Sequence, residues 1–404
     1  MYLETLVFSK FNQKKLSLNE ICNDLYSNYS LEITKQGLDE RFNEKSVDFL
    51  KSCVSQLLRN HFTQNTTISG FTQFSRVRIK DSTKFQLPEN MKQTYPGTGG
   101  SASDAAAKIQ YEFDLKNGDI IDFEITAGNI NDFADANQKE DDIIKGDLLL
   151  RDLGYISVDS VKHCNDKEAF HISRLKAQTG IYTLGKEKKQ GISLKEIQSK
   201  LMESKEQFLD IEVCIGDRKY IPVRLVAAML PAEKIKERII KMRRKQVTAG
   251  RKFKEEFCQT AGLNVFITNI PKEIMSAPEV YNTYKLRWQI ELVFKIWKSI
   301  GEIHLIKDVK PERLLSLLYA KLLWLLFNWG IISEISNQLF NTTKERLSPY
   351  KSTITIVNCM DKIRGSLRNL NGLYLIFQRL IRTMIKHNKC EKRKNHISSI
   401  ELLV

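Results

Sequence analysis

The 404 residues are 42% hydrophobic, which is enough apolar material for a substantial core in two or three domains. The formal net charge of +15 favours a polyanionic partner, either nucleic acid or an acidic membrane surface, over a small neutral substrate. The seven cysteines stand singly, without a Cys-x-x-Cys pair or a histidine at ligand spacing. Structural zinc and a disulfide framework are therefore both disfavoured.

The N-terminal region is polar and is predicted to be helical. Its first residues lack the long apolar run and the cleavage site of a secretory signal, as expected for a cytoplasmic protein. Ser17 and Glu20 have the spacing of a capping box, and residues 17–42 can form two short helices around a turn. Two interpretations stay open: a helix-turn-helix that reads DNA, or a helical hairpin that packs on the next domain.

From about residue 72 the periodicity becomes that of strands. RVRIKD alternates up to Asp81, and residues 108–126 predict a hairpin with a type I′ turn at Asn117-Gly118. A helix over 134–146 is followed by the short buried strand DLLLRD, and a second helix is followed by the strand AFHISRL. This order predicts an α/β protein whose ribonuclease-H-like core has a mixed five-stranded sheet.

Two aspartates lie where a ribonuclease-H-like fold carries catalytic carboxylates. Asp81 closes the first predicted strand and Asp152 closes the fourth. Either residue alone is more often a turn or cap residue, because DST and RDLG are both reasonable turn sequences. Their joint placement favours a catalytic role.

A β-rich insertion is predicted over residues 177–262, with a hairpin at 211–230. Residues 234–254 carry ten Lys or Arg against one Glu. A charge run of this kind is usually a solvated face, but its density and single sign favour a phosphate-binding surface centred on Arg243, Arg244 and Lys245. The glycine-rich segment YPGTGG lacks the spacing of an ATP-binding loop.

The segment YKLRWQIELVFKIWK, which begins at residue 284, is predicted to form one amphipathic helix. At about 100° per residue, Tyr284, Arg287, Glu291 and Lys298 share one narrow stripe opposite an apolar face. A solvated surface would explain such a stripe. Trp288 borders it, and a packing role is the preferred interpretation of that ring over contact with a flipped base.

Three carboxylates together would permit metal chemistry. Asp81, Asp152 and Glu291 offer the oxygen ligands that Mg²⁺ prefers. Two such ions about 3.5 to 4 Å apart can drive in-line displacement at a phosphodiester.

The C-terminal region is predicted to be helical. Residues 314–333 are long enough to span a bilayer, but Lys321 and Asn328 interrupt the apolar run. A buried helix of a globular protein is the preferred interpretation, and no membrane partner is expected.

Tyr284, Arg287, Glu291 and Lys298 reproduce the signature Yx2Rx3Ex6K, and on this motif the chain resembles the bacterial insertion-sequence transposases of the DDE type. The sequences around Asp81 and Asp152, YPGTGG and FHISRLK are also similar to that class. The resemblance covers roughly residues 70–300.

The resemblance implies a cut-and-paste DNA transposase that acts as a homodimer on terminal inverted repeats and target DNA, in the bacterial cytoplasm at the nucleoid. It implies two Mg²⁺ ions, replaceable by Mn²⁺, on Asp81, Asp152 and Glu291, and DNA contacts from Tyr284, Arg287 and Lys298. Two alternatives stay open: a catalytically silent DNA-binding inhibitor or remnant, and a nuclease of the same fold without strand transfer.

The expected domains follow the same reasoning. They are a helical DNA-binding region (1–70), the first part of the core (71–176), the β-rich insertion with its basic arm (177–262), the second part of the core with the Glu291 helix (263–305) and a helical C-terminal region (306–404).

Overall fold

The computed structural model describes most of the chain as helices and strands. The described residues are 2–8, 17–59, 71–99, 104–132, 134–135, 140–176, 178–185, 189–204, 206–248, 250, 258 and 261–391. The helices are α1 (Tyr2–Phe8), α2 (Leu18–Tyr29), α3 (Lys35–Glu40), α4 (Glu44–Arg59), α5 (Val158–Asp166), α6 (Leu194–Ser204), α7 (Ala232–Thr248), α8 (Ala277–Lys285), α9 (Trp288–Ser299), α10 (Pro311–Thr343), α11 (Pro349–Ser366) and α12 (Leu370–His387). The strands are β1 (Val77–Gln86), β2 (Ala106–Asp114), β3 (Ile120–Ala127), β4 (Leu148–Arg151), β5 (Phe170–Arg174), β6 (Ile181–Thr183), β7 (Phe208–Ile215), β8 (Ile221–Met229) and β9 (Leu263–Thr268).

The chain divides into two compact units. The first unit consists of Met1–Thr72, Lys80–Ile130 and Trp288–Val404, and the second consists of Gln73–Ile79 and Asn131–Arg287. Strand β1 contributes its first residues to the second unit and its remaining residues to the first. Both units combine helices with strands, so the protein is of the mixed α/β class that the sequence predicts.

In the first unit, the strand order is β3-β2-β1. Strands β2 and β3 are antiparallel, with Tyr111 opposite Phe123, which confirms the predicted hairpin. The predicted type I′ turn is wrong, because that turn needs a positive φ at both central residues. Gly118 has a φ of 83°, whereas Asn117 is not among the residues with positive φ, and the Gly118 N–H donates to the carbonyl of Asp114 at 2.8 Å. The connection is therefore a longer loop.

The helices of the first unit pack around α10. The Phe8 and Phe327 rings lie 6.2 Å apart, and the Ser46 and Ser316 hydroxyls lie 2.8 Å apart. Among the described residues, α10 is the one helix long and apolar enough to cross a bilayer, but its most apolar window is 61% buried within the fold. That burial agrees with the prediction of a core helix. The predicted capping box at Ser17 is also present.

In the second unit, the strand order is β1-β4-β5-β9-β8-β7-β6, with β4 and β5 parallel. The hairpin predicted at 211–230 is present as β7 and β8, which extend the sheet beyond β9. One face of this sheet carries an apolar core that includes Ile197, Leu225 and Ile267. The other face is covered by α8, whose Tyr281 ring lies 5.7 Å from the Phe266 ring. The helix predicted over 134–146 is present in part: residues 134–135 are helical, residues 136–139 lie outside the described residues, and Glu140–Asp142 form a 3-10 turn.

Candidate functional site

Asp152 lies directly after strand β4 in the second unit. All four residues of β4 are buried, so the strand is held on both faces and presents Asp152 at its carboxyl end. Asp152 precedes a 3-10 turn, Leu153–Tyr155, but its side chain makes no capping hydrogen bond to that turn. The carboxylate is half-buried. The turn and cap interpretation therefore does not account for its side chain.

Tyr284 and Arg287 belong to the same unit as Asp152. The Tyr284 ring is buried and lies 5.0 Å from the Phe266 ring of β9. Burial raises the pKa of the Tyr284 hydroxyl to about 12; the negative charge of Asp152 adds to this effect and the positive charge of Arg287 opposes it. The charges of Asp152 and Arg287 therefore both act on the Tyr284 hydroxyl.

The prediction of one continuous helix through residues 284–298 is wrong. Helix α8 ends at Lys285, and α9 begins at Trp288. Between them the N–H groups of Leu286 and Arg287 donate three residues back, to the carbonyls of Thr283 and Tyr284, at 3.0 and 3.1 Å. The single stripe of four signature residues is therefore divided: Tyr284 lies on α8 and Arg287 on the turn, whereas only Glu291 and Lys298 share α9.

Asp81 lies within β1 and not at its end, since the strand continues to Gln86. The prediction placed the end of the strand at Asp81; the strand continues because Thr83 and Phe85 extend the buried alternation. One oxygen of the half-buried Asp81 carboxylate accepts the N–H of Ser82 at 2.8 Å. Lys80, its neighbour in the chain, is fully buried and pairs with Asp122 at 2.9 Å.

Helix α9 holds Glu291 on the first unit. Its Trp297 ring packs 5.0 Å from the Tyr111 ring of β2 and 5.8 Å from the Phe123 ring of β3. Lys298 Nζ donates to the carbonyl of Lys84 on β1 at 3.3 Å, and partial burial lowers the pKa of this ammonium group. Glu291 is exposed in the first turn of α9, where the positive end of the helix dipole favours a carboxylate.

Trp288 does not have the packing role predicted for it, because its side chain is 47% exposed at the start of α9. The helix buries its other tryptophan, Trp297, instead. The helical wheel had placed Trp288 beside the polar stripe, and its exposure agrees with that position rather than with packing.

The three predicted carboxylates fit a divalent metal ion by their chemistry. Asp81, Asp152 and Glu291 are hard oxygen donors, and each is at least partly exposed. Asp81 and Glu291 belong to the first unit and Asp152 to the second. Within the described part of either unit, no three His, Cys, Asp or Glu side chains are grouped as a complete metal site.

Helix α7 carries the predicted basic surface. Arg243, Arg244 and Lys245 are exposed, and no residue of α7 is fully buried. In the first half of the helix, Arg238 donates to the carbonyl of Ala261 at 2.9 Å. Residues 249 and 251–254 of the predicted arm lie outside the described residues.

Sequence reasoning did not single out Arg174 or Arg238. Both guanidinium groups donate to the side-chain oxygen of Asn264, at 2.8 and 2.6 Å. Arg174 also acts electrostatically on Tyr284. Arg174 lies in the FHISRLK segment and Arg238 in the basic run, but the residues are too far apart in sequence for spacing to relate them.

The chain is similar to known transposases over most of its length. The profile of the transposase DDE domain matches residues 72–323. The chain is 34% identical over 394 residues to the transposase for insertion sequence element IS231F of Bacillus thuringiensis subsp. israelensis, covering 94% of this chain and 82% of that one. It is 30% identical over 392 residues to the transposase for insertion sequence element IS1151 of Clostridium perfringens, covering 91% and 81% of the two chains.

Among solved structures, the chain is similar to the piggyBac transposase synaptic complex with hairpin DNA. The TM-score is 0.42 at 12% identity, over 98% of this chain and 77% of that one. A similarity of this size carries no argument about fold or mechanism.

The matched segment contains Asp81, Asp152 and Glu291, and the curated relatives match over most of their length. The family predicted from the Yx2Rx3Ex6K signature is confirmed. Members of this family act on DNA and generally use divalent metal ions. The chain belongs to the DDE transposases of bacterial insertion sequences, enzymes that cleave DNA at the ends of a mobile element and join it to a target.

Proposed function

We propose that Asp81, Asp152 and Glu291 are the catalytic carboxylates of this transposase and hold two Mg²⁺ ions, which Mn²⁺ can replace. The observation that carries this assignment is Asp152. Its carboxylate lies at the end of a buried strand, makes no capping bond, and acts electrostatically on Tyr284. A carboxylate held rigidly by its strand and left open to solvent is suited to a ligand.

The bound ions would supply Lewis acidity to the attacked phosphodiester and would lower the pKa of the attacking hydroxyl. The protein's own groups position the DNA. We infer that Arg287 and Lys298 donate to backbone phosphates, since both are partly exposed cations. The buried ring of Tyr284 fixes the direction of its hydroxyl, which we assign to a further phosphate contact.

A second set of contacts is assigned to helix α7. Arg243, Arg244 and Lys245 are exposed on a helix that buries no residue of its own. Such a surface contributes sequence-independent, salt-dependent affinity for DNA. We therefore infer that α7 binds the duplex away from the carboxylates.

For the architecture, we infer a ribonuclease-H-like core over 71–176 and 263–305, with an insertion at 177–262 between its parts. Support comes from the antiparallel β2–β3 pair and the parallel β4–β5 pair. The helical regions 1–70 and 306–404 flank this core, and we assign a DNA-binding role to the first. We propose further that the enzyme acts at the nucleoid, as a homodimer assembled on the two terminal inverted repeats.

The direct test is strand cleavage of a labelled DNA that carries the sequence flanking this gene. Wild type with Mg²⁺ should cut at a fixed position, and EDTA or Glu291→Gln should abolish cutting. Glu203→Gln is the matched control, because Glu203 is exposed on α6 and makes no contact that the assignment uses. Cleavage retained by Glu291→Gln would remove Glu291 from the catalytic set. Binding without cleavage by a folded wild type would favour a silent DNA-binding protein.

A further inference from the structure

Two arginines of the second unit meet at a single neutral acceptor. Arg174, at the end of β5, and Arg238, on α7, each donate to Oδ1 of Asn264, at 2.8 and 2.6 Å. Asn264 is only 8% exposed, so its side chain is held in place. The two guanidinium groups therefore both lie within hydrogen-bond distance of the same oxygen atom.

Among the described residues of the second unit, no carboxylate compensates the charge of this pair. In the part of the chain that the structure describes, neither Arg174 nor Arg238 has a carboxylate within ion-pair distance, and the other acceptors of Arg238 are backbone carbonyls. Burial and the charge of Arg174 both lower the pKa of Arg238. By contrast, Arg224 of the same sheet is paired with Asp210 through two bonds of 2.8 and 2.6 Å.

The pair lies on the same face of the sheet as Tyr284. Arg174 is directly opposite Phe266 in the β5–β9 register, and paired residues point to the same face. Asn264 is two residues from Phe266 on β9 and so also shares that face. Tyr284 packs on Phe266 at 5.0 Å between ring centroids.

We propose that Arg174 and Arg238 together bind one phosphate of the DNA backbone beside the signature residue Tyr284, with Asn264 holding the two guanidinium groups apart from any carboxylate. Both side chains are partly exposed, so an anion can reach them. A guanidinium fork presents paired N–H donors that match phosphate oxygens. A bound phosphate also removes the repulsion between the two cations. This inference rests on DNA being the substrate.

The first test measures binding without cleavage. A fluorescently labelled duplex with the flanking sequence of the gene is titrated in EDTA with wild type, Arg174→Gln and Arg238→Gln over a range of salt concentrations. Each change should weaken binding about tenfold and should lower the slope of log affinity against log salt by up to about one. The loss should be similar on a duplex of unrelated sequence, because a phosphate carries no base identity.

Arg218→Gln is the matched control. Arg218 is exposed in the β7–β8 turn, whereas Asn264 pairs with Ala228 near the other end of β8, about 20 Å away at the rise of a strand. Its affinity and salt slope should stay close to those of the wild type. Unchanged affinity and slope in both Arg174→Gln and Arg238→Gln would overturn the proposal.

The second test separates a binding role from a structural one. Asn264→Asp keeps the shape of the side chain and places a carboxylate between the two guanidinium groups. It should raise the unfolding temperature and weaken DNA binding about tenfold, because the internal carboxylate competes with the phosphate. Unweakened binding by a stabilised Asn264→Asp would reject the phosphate site. Cleavage by wild type in Mg²⁺ is scored separately, so rejection of this site leaves the assignment of the catalytic carboxylates standing, and the converse also holds.

Discussion

The surroundings of Arg224 and of Asp152, both in the second unit, are opposite in kind. Arg224 is 5% exposed and donates to Asp210 and to the carbonyls of Ile270 and Met275, at 3.0 and 2.6 Å for the carbonyls. Asp152 is half-buried and its side chain caps nothing. A charge whose bonds are all made inside the protein stabilises the fold, whereas a carboxylate that a rigid strand leaves open is available to a ligand.

The substitution Asp152→Asn tests whether the accessible carboxylate serves catalysis. Cleavage should fall about a thousandfold, because the lost metal interaction is worth several kcal/mol in the transition state. The free energy of unfolding, measured by urea denaturation, should change by less than about 0.5 kcal/mol. A large loss of stability would instead assign Asp152 a structural role.

The substitution Arg224→Gln tests whether the internally bonded guanidinium group stabilises the fold. Removing Arg224 leaves two carbonyls without their donor and leaves the Asp210 carboxylate with Lys272 alone, at 3.7 Å, so the free energy of unfolding should fall by about 3 kcal/mol. Urea denaturation measures the effect, and Arg218→Gln, in an exposed turn, serves as the control. A variant as stable as wild type would show that the Arg224 bonds contribute little net stability.

His171 adds to the comparison a buried group that can gain a charge. Burial lowers the pKa of this imidazole to about 4, so the folded protein favours the neutral ring. The stability that the neutral ring contributes is fully present above the ordinary pKa of about 6.5. As the pH falls from there toward 4, the free energy of unfolding should decrease by up to about 1.4 kcal/mol per pH unit. Urea denaturation between pH 7.5 and 4.5 should show a shallower pH dependence for His171→Gln than for wild type. Equal slopes would contradict the assignment.

On α9 the comparison extends to two apolar side chains. Trp297 is 3% exposed and Trp288 is 47% exposed. Trp297→Ala should cost about 3 to 5 kcal/mol of stability, whereas Trp288→Ala should cost less than about 1 kcal/mol. Thermal unfolding of the two variants side by side measures the difference, and equal losses would mean that Trp288 is packed in solution.

Local patterns predicted much of the fold. The alternation in β2 and β3, the buried run before Asp152 and the capping box at Ser17 each depend on residues close in sequence. The break at residues 286–287 was missed because a helical wheel assumes continuity. No proline or glycine marks that break in the sequence.

The candidate carboxylates are predictions from the sequence that stay open to experiment. The spacing of the signature points to Glu291, and the order of the predicted strands points to Asp81 and Asp152. The Arg174–Asn264–Arg238 cluster was not predictable, since its bonds join residues 26 and 90 positions apart. Such a cluster exists only once β5, α7 and β9 have been brought together.

Helix α7 has a consequence for how these elements diversify. None of its residues is fully buried, so most positions on it can change without opening the core. If α7 binds DNA as proposed, changes in its lysines and arginines alter the electrostatic attraction to a duplex while the strands of the second unit keep their packing. On that proposal, substitutions on this one helix can change the affinity of the enzyme for DNA without changing its catalytic residues.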